Sequence, residues 1–244
     1  MFSTVALRWR KHEFTWLQVF THLGAIAPFA YLLWDYFNDN LSVNPIQDIT
    51  FRTGKPALVL LVLSLACTPL NSLFGFRWAI KLRRPLGVYA FLYVCLHLLT
   101  FVGLDYGFDV DLLKGAIFEK RYALVGFAAF CLLLPLTLTS TKGWQRRLGP
   151  RWKTLHKLVY ITAPLAVFHY LWLVKSDIRD PLFFGALVAL LLIFRIPAVK
   201  RPLRGGWQAL TNRLRPPARR PQSTPRPPSA AAKPQVAAEP ERLK

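Results

Sequence analysis

Residues 85–104 read PLGVYAFLYVCLHLLTFVGL, and residues 155–174 read LHKLVYITAPLAVFHYLWLV. The first stretch has no charged side chain, and the second has only Lys157, near its edge. At about 1.5 Å per residue, each makes a helix of about 30 Å, the thickness of a bilayer's hydrocarbon core. Each also holds a histidine well inside it, His97 and His169. An ionisable side chain at that depth is costly and marks function by default. These two segments decide the fold class: an all-α membrane protein with polar chemistry inside.

Outward from them, windows of similar length at 14–34, 57–74, 122–138 and 182–196 complete a six-transmembrane-helix bundle with short loops. The last is the shortest, and Arg195 near its end is expected to snorkel to the interface. Arg8, Arg10 and Lys11 precede the first span, but its apolar run is too long for a secretory signal and no small-residue cleavage site follows. Pro28, Pro69, Pro135 and Pro164 inside the spans are plausible kinks. The domain plan is a cytoplasmic segment 1–13, a membrane domain 14–200, and a basic, proline-rich tail 201–244 that is too polar to pack and is expected to be disordered. No internal repeat is evident. Cys67, Cys95 and Cys131 lie inside apolar runs at no metal-ligand spacing.

Composition agrees. The 244 residues are 53% hydrophobic and 18% charged yet carry a net charge of +20, which excludes a disordered polycation and disfavours a nucleic-acid-binding globule. The charge is segregated. With the N-terminus cytoplasmic, segments 1–14, 75–84, 139–157 and 195–244 hold 25 basic and 3 acidic side chains, whereas 35–56, 105–121 and 175–181 hold 7 basic and 9 acidic. That asymmetry follows the positive-inside rule and places both termini in the cytoplasm. The tail's charge suits anionic lipid. On the two short inner loops, Arg77, Lys81, Arg83 and Arg84 face Arg146, Arg147 and Arg151, a repulsive patch that a phosphate-bearing ligand or an acidic partner would stabilise.

Four histidines lie in or at the ends of spans: His22, His97, His156 and His169. No charged residue accompanies them at mid-depth, which disfavours a proton relay and leaves coordination or interhelical hydrogen bonds worth about 1 kcal/mol each. His97 lies about 18 Å from the inner start of its span and His169 about 21 Å from its own, so the pair can hold an iron macrocycle between two imidazoles. Phe91, Tyr93, Phe101, Phe168, Tyr170 and Trp172 are candidates to wall it. His22 and His156 match in depth less well. His156 and His169 lie about 140° apart around a straight helix, and a kink at Pro164 would turn both inward. A transporter that uses buried histidines for protons or metals, and a non-redox membrane anchor, are the competing classes.

The run Thr139-Ser140-Thr141 to Trp144, Arg147-Leu148-Gly149, Trp152, Leu155-His156, Tyr160 and His169-Tyr170-Leu171-Trp172 resembles the MsrQ (YedZ) family, within the ferric-reductase-like transmembrane superfamily. Asn44-Pro45, Asp48-Ile49, Thr53-Gly54, Thr68-Pro69-Leu70 and Arg83-Arg84 to Gly87 extend the resemblance over nearly all of 14–200. It implies haem b with axial ligands among His97, His156 and His169, association with FMN, and a bacterial inner-membrane location. It also implies electron delivery to the periplasmic molybdopterin subunit MsrP, which repairs oxidised methionine in proteins. The chain would then be the electron-transfer subunit of an oxidoreductase complex, with no substrate-reducing site of its own. The superfamily pairs histidines fourteen residues apart on two helices, but the position fourteen before His97 is Arg83. One or two haems therefore remain open, with His22 or an arginine as substitute ligand. No G-x-G-x-x-G fingerprint is present, so a cytoplasmic flavin reductase or quinol donor is expected at the basic patch. The partner subunit is expected at Asp105, Asp109, Asp111, Glu119, Asp177 and Asp180.

Overall fold

A computed structural model describes residues 16–174, 177–199, 201–203 and 205. The segment 1–13 and nearly all of the tail 201–244 lie outside the described residues. Among the described residues the chain is helical throughout: α1 Trp16–Phe37, α2 Pro45–Phe74, α3 Arg77–Leu99 with a π-helical extension Thr100–Asp105, α4 Val110–Glu119, α5 Arg121–Leu138, α6 Lys142–Leu148, α7 Pro150–Leu155, α8 Val159–Leu173 and α9 Arg179–Ile193. Four helices among the described residues are long and apolar enough to cross a membrane: α1, α2, α3 with its extension, and α5. A fifth arises if α9 and the short helix Pro197–Leu203, bent by 76°, count as one span.

Two helix pairs build the body, α2 with α3 and α5 with α8, and α9 packs on α8 and α2. The turn from α2 to α3 is made by Gly75 and Phe76 alone. Gly75 takes φ 77° and returns its N–H to the Asn71 carbonyl, a left-handed cap that a Cβ would strain. α2 begins earlier than the apolar window suggests, because Asn44 caps Gln47 N–H at 3.2 Å and Pro45 occupies the first helical position. Charges on this extension are paired. Arg52 bonds Asp48 at 2.9 Å and also Asp35 on α1, and Lys55 bonds Asp180 on α9 at 2.6 Å. The expected loops are likewise largely helical, with α4 inside 105–121 and α6 and α7 inside 139–157.

The core lies along α2 and α3, around Leu61, Leu65, Leu86, Ala90 and Tyr93, with Ala163 from α8. The Tyr93 hydroxyl enters the ladder of α1 next to Pro28. It donates to the Ala25 carbonyl at 2.8 Å and accepts from Phe29 N–H at 3.0 Å, the two groups that would otherwise bond each other. Tyr93→Phe removes both bonds and is expected to lower stability by about 1 kcal/mol, read as a lower Tm in detergent with helix content unchanged.

α8 runs through Pro164, and the change in helix type falls earlier, at a 3₁₀ turn His156–Leu158.

Candidate functional site

α2, α5 and α9 start at the same end of the bundle, where α1, α3 and α8 finish. The pairs Arg52–Asp35, Lys55–Asp180, His97–Thr50 and His169–Tyr122 all close there. The described carboxylates sit in segments of this end. The opposite end carries Arg77, Lys81, Arg83, Arg84, Arg146, Arg147 and Arg151, exposed except for the half-buried Arg83.

His97 on α3 and His169 on α8 meet in the interior, with ring centroids 6.0 Å apart and planes at 84°. Each ring is fixed by a backbone carbonyl: His97 Nδ1 to Thr50 at 3.0 Å, and His169 Nδ1 to Tyr122 at 2.7 Å. A carbonyl can only accept, so Nδ1 carries the hydrogen in both rings and Nε2 keeps its lone pair. Such a bond also orients a ligating imidazole and raises its basicity.

A helical carbonyl is screened by the side chain four residues on. Those positions are Gly54, four after Thr50, and Gly126, four after Tyr122. A Cβ on Gly54 would lie 3.1 Å from His97 Nδ1, and one on Gly126 would lie 2.7 Å from His169 Nδ1. The glycines are notches that let each ring reach the carbonyl. Thr50, Gly54 and His97 map onto Tyr122, Gly126 and His169 by one shift of 72 positions. The α2–α3 and α5–α8 pairs therefore present equivalent holders, a local repeat that the sequence conceals. Only the matched glycine-to-histidine spacing could have signalled it.

The two histidines line a cavity of about 690 Å³, within the usual range for a cofactor site. Its apolar wall includes Phe51, Phe101, Phe127, Phe130 and Leu133, and Asn44, Gln47, Lys55 and Asp105 reach it from the acidic end. Of the aromatics expected as walls, Phe101 and Tyr170 line it. Phe91 stacks on Phe130 at 5.8 Å, Tyr93 serves α1, and Phe168 and Trp172 pair with each other at 5.0 Å.

The donor set suits a macrocycle iron. The two ring centroids lie 6.0 Å apart, so His97 and His169 are the residues that would hold such an iron between them. Among the described residues no group of three or more His, Cys, Asp or Glu converges to hold a metal ion.

The other two candidates lie elsewhere. His22 Nδ1 bonds the Tyr89 hydroxyl at 2.9 Å, and neither His22 nor His156 lines the cavity. His156, toward the basic end, bonds the Trp152 carbonyl through Nδ1 at 3.1 Å and stacks on the Trp152 ring at 4.0 Å. Its Nε2 is buried and has no hydrogen-bond partner among the described residues. Arg195 departs from expectation. Instead of snorkelling, its guanidinium turns inward and donates to the Leu65 carbonyl at 2.7 Å.

Residues 53–167 match the family model described as ferric reductase like transmembrane component. The chain is 42% identical over 187 residues to the protein-methionine-sulfoxide reductase heme-binding subunit MsrQ of Herminiimonas arsenicoxydans, covering 75% of this chain and 86% of that protein. Its identity to the protein of the same name from Rhodospirillum rubrum is 44% over 192 residues, covering 75% and 92%. For that of Xanthomonas euvesicatoria pv. vesicatoria it is 42% over 215 residues, covering 84% and 93%. With identity at this level over most of both chains, and a transmembrane ferric-reductase-like core, the chain belongs to the MsrQ family.

Proposed function

We propose that this protein is a b-type haem electron carrier, with His97 and His169 as axial ligands, serving a methionine-sulfoxide reductase. The observation that carries this reading is the matched pair of imidazoles, each with Nδ1–H fixed on a carbonyl and Nε2 left to bind, lining one largely apolar cavity. A haem there supplies a one-electron couple, and with both axial positions filled by imidazole it passes electrons rather than binding oxygen. The chain's own part is to fix both rings, exclude water with Phe101, Phe127 and Phe130, and hold the site at constant depth.

The finer features belong to the same reading. Six spans, with α7 through α8 as the fifth and α9 as the sixth, place both termini on the basic side of the bacterial inner membrane. The histidine pair sits nearer the acidic end, suited to delivering electrons to a periplasmic molybdopterin subunit, MsrP. The basic end suits a cytoplasmic donor, either a flavin reductase with FMN or a quinol system. A second haem would use the free Nε2 of His156.

The test is a reduced-minus-oxidised spectrum of the purified full chain, with haem extracted and counted, followed by mixing with the reductase subunit and methionine sulfoxide. A low-spin b-type spectrum whose reduced form is reoxidised only when both are present is expected. Absence of a Soret band would leave the transporter class. Haem that is not reoxidised would leave the anchor.

A further inference from the structure

At the acidic end, one wall of the central cavity is made by a single excursion of the chain. The π-helical extension of α3 supplies Phe101, Val102 and Asp105 to the lining, and α4 supplies Leu113 and Ile117. Between them the backbone turns at Gly107 and Phe108, both in the left-handed region at φ 56° and 61°, which a bulky side chain rarely adopts. That turn is anchored on the extension. Phe108 N–H bonds the Val102 carbonyl at 2.9 Å, and the Phe108 ring rests on Gly103, where a Cβ would come to 3.0 Å from it. At the far end of α4, Lys120 leaves helical geometry, with φ −90° and ψ 88°, and separates α4 from α5. The two ends of the excursion are clasped together. Lys120 Nζ donates to the Tyr106 hydroxyl and lies over the same ring, 5.2 Å from its centroid.

Between these points α4 is thinly held. It packs chiefly on α5, buries Ala116, half-buries Leu113 and Ile117, and leaves Val110, Leu112 and Phe118 exposed. Ten residues are too few for a helix to be stable alone in water. So little apolar burial puts α4 at the low-stability end of the fold, from which lids are drawn. The remaining walls belong to the closely packed pairs α2–α3 and α5–α8. We propose that α4 is a lid that pivots after Phe108 and at Lys120, opens the cavity toward the acidic end for entry and exit of its occupant, and is held shut by the Tyr106–Lys120 clasp. With its ends clasped, the open segment gains little chain freedom; with the clasp gone, opening gains more. That the occupant is haem rests on the function proposed above, and the lid does not.

Amide hydrogen exchange of the purified full chain, read by mass spectrometry, tests the lid, and haem transfer to apomyoglobin tests the route. α4 is expected to exchange as one block, about tenfold or more faster than α5. Lys120→Met, which removes both the hydrogen bond and the cation over the ring, should speed α4 exchange by a further factor of about ten and leave α2, α3 and α5 unchanged. Tyr106→Phe, which keeps the ring, should act in the same direction but less. Lys114→Met, on the exposed face of the same helix, is the control. Exchange of α4 as slow as that of α5, or Lys120→Met no different from Lys114→Met, overturns the lid. Neither Tyr106 nor Lys120 lines the cavity, so both variants should keep the haem spectrum while haem passes to apomyoglobin faster, in step with α4 exchange. Faster exchange with unchanged haem transfer overturns the route. If Lys120→Met loses its helical circular dichroism, wild type and Tyr106→Phe decide by the same criteria. A chain that purifies without haem sinks the haem function and leaves the exchange comparison to decide the lid.

Discussion

His97→Ala and His169→Ala are each expected to abolish the low-spin haem at this site and, with it, electron delivery to methionine-sulfoxide reduction. Both effects should be large on the haem reading proposed above, because removal of one imidazole would leave an iron held between His97 and His169 with a single protein ligand, and among the described residues no group of three or more His, Cys, Asp or Glu converges to hold a metal ion. Haem per protein and the reduced α band measure the first effect, and sulfoxide turnover with the partner measures the second. His22→Ala is the contrasting variant. Its ring bonds Tyr89 outside the cavity, so it should keep this haem. Loss of the haem in His22→Ala, or its retention in both alanine variants of the central pair, would reassign the ligands.

The second large effect comes from adding a single methyl group. Gly126→Ala would place Cβ 2.7 Å from His169 Nδ1 and 2.8 Å from its Cε1. Contacts that short are not tolerated, and the imidazole can yield only by giving up its bond to the Tyr122 carbonyl and its aim. Haem affinity is expected to fall at least tenfold. Gly54→Ala meets His97 at 3.1 and 3.2 Å, which a shift of a few tenths of an ångström relieves, so it should keep its haem with a perturbed spectrum. Gly115→Ala on α4 has nothing within 4 Å and should leave the spectrum unchanged, since alanine only improves helix propensity there. Haem titration of the three purified variants checks the order. Equal behaviour of Gly126→Ala and Gly115→Ala would show that His169 is not held as described.

Much of this was legible in the chain, and the limits have physical causes. Depth along a helix is set by counting, so the shared level of His97 and His169 could be read from 85–104 and 155–174. The partner of each Nδ1 could not, because Thr50 and Tyr122 act through carbonyls that every residue possesses. Hydropathy alone predicts a loop at the outer end of α2, because Asp48, Arg52 and Lys55 break the apolar run. Their charges are instead matched by Asp35 and Asp180, partners that only the fold brings near. Its position near the end of a short span predicts an interfacial Arg195. The carbonyl that draws it inward is freed by Pro69, in a different helix, and no local pattern links the two.

The carbonyl anchors of the two imidazoles have a consequence for how this site can vary. A contact made by main chain survives replacement of the residue that makes it, which is why positions 50 and 122 can be as unlike as threonine and tyrosine. The demand for fidelity is passed to the neighbour one helical turn away, where a single added carbon would intervene. Tolerance to substitution in this protein should therefore be offset from function: free at the residues that touch the histidines, narrow at Gly54 and nearly nil at Gly126, whose only contribution is to stay out of the way.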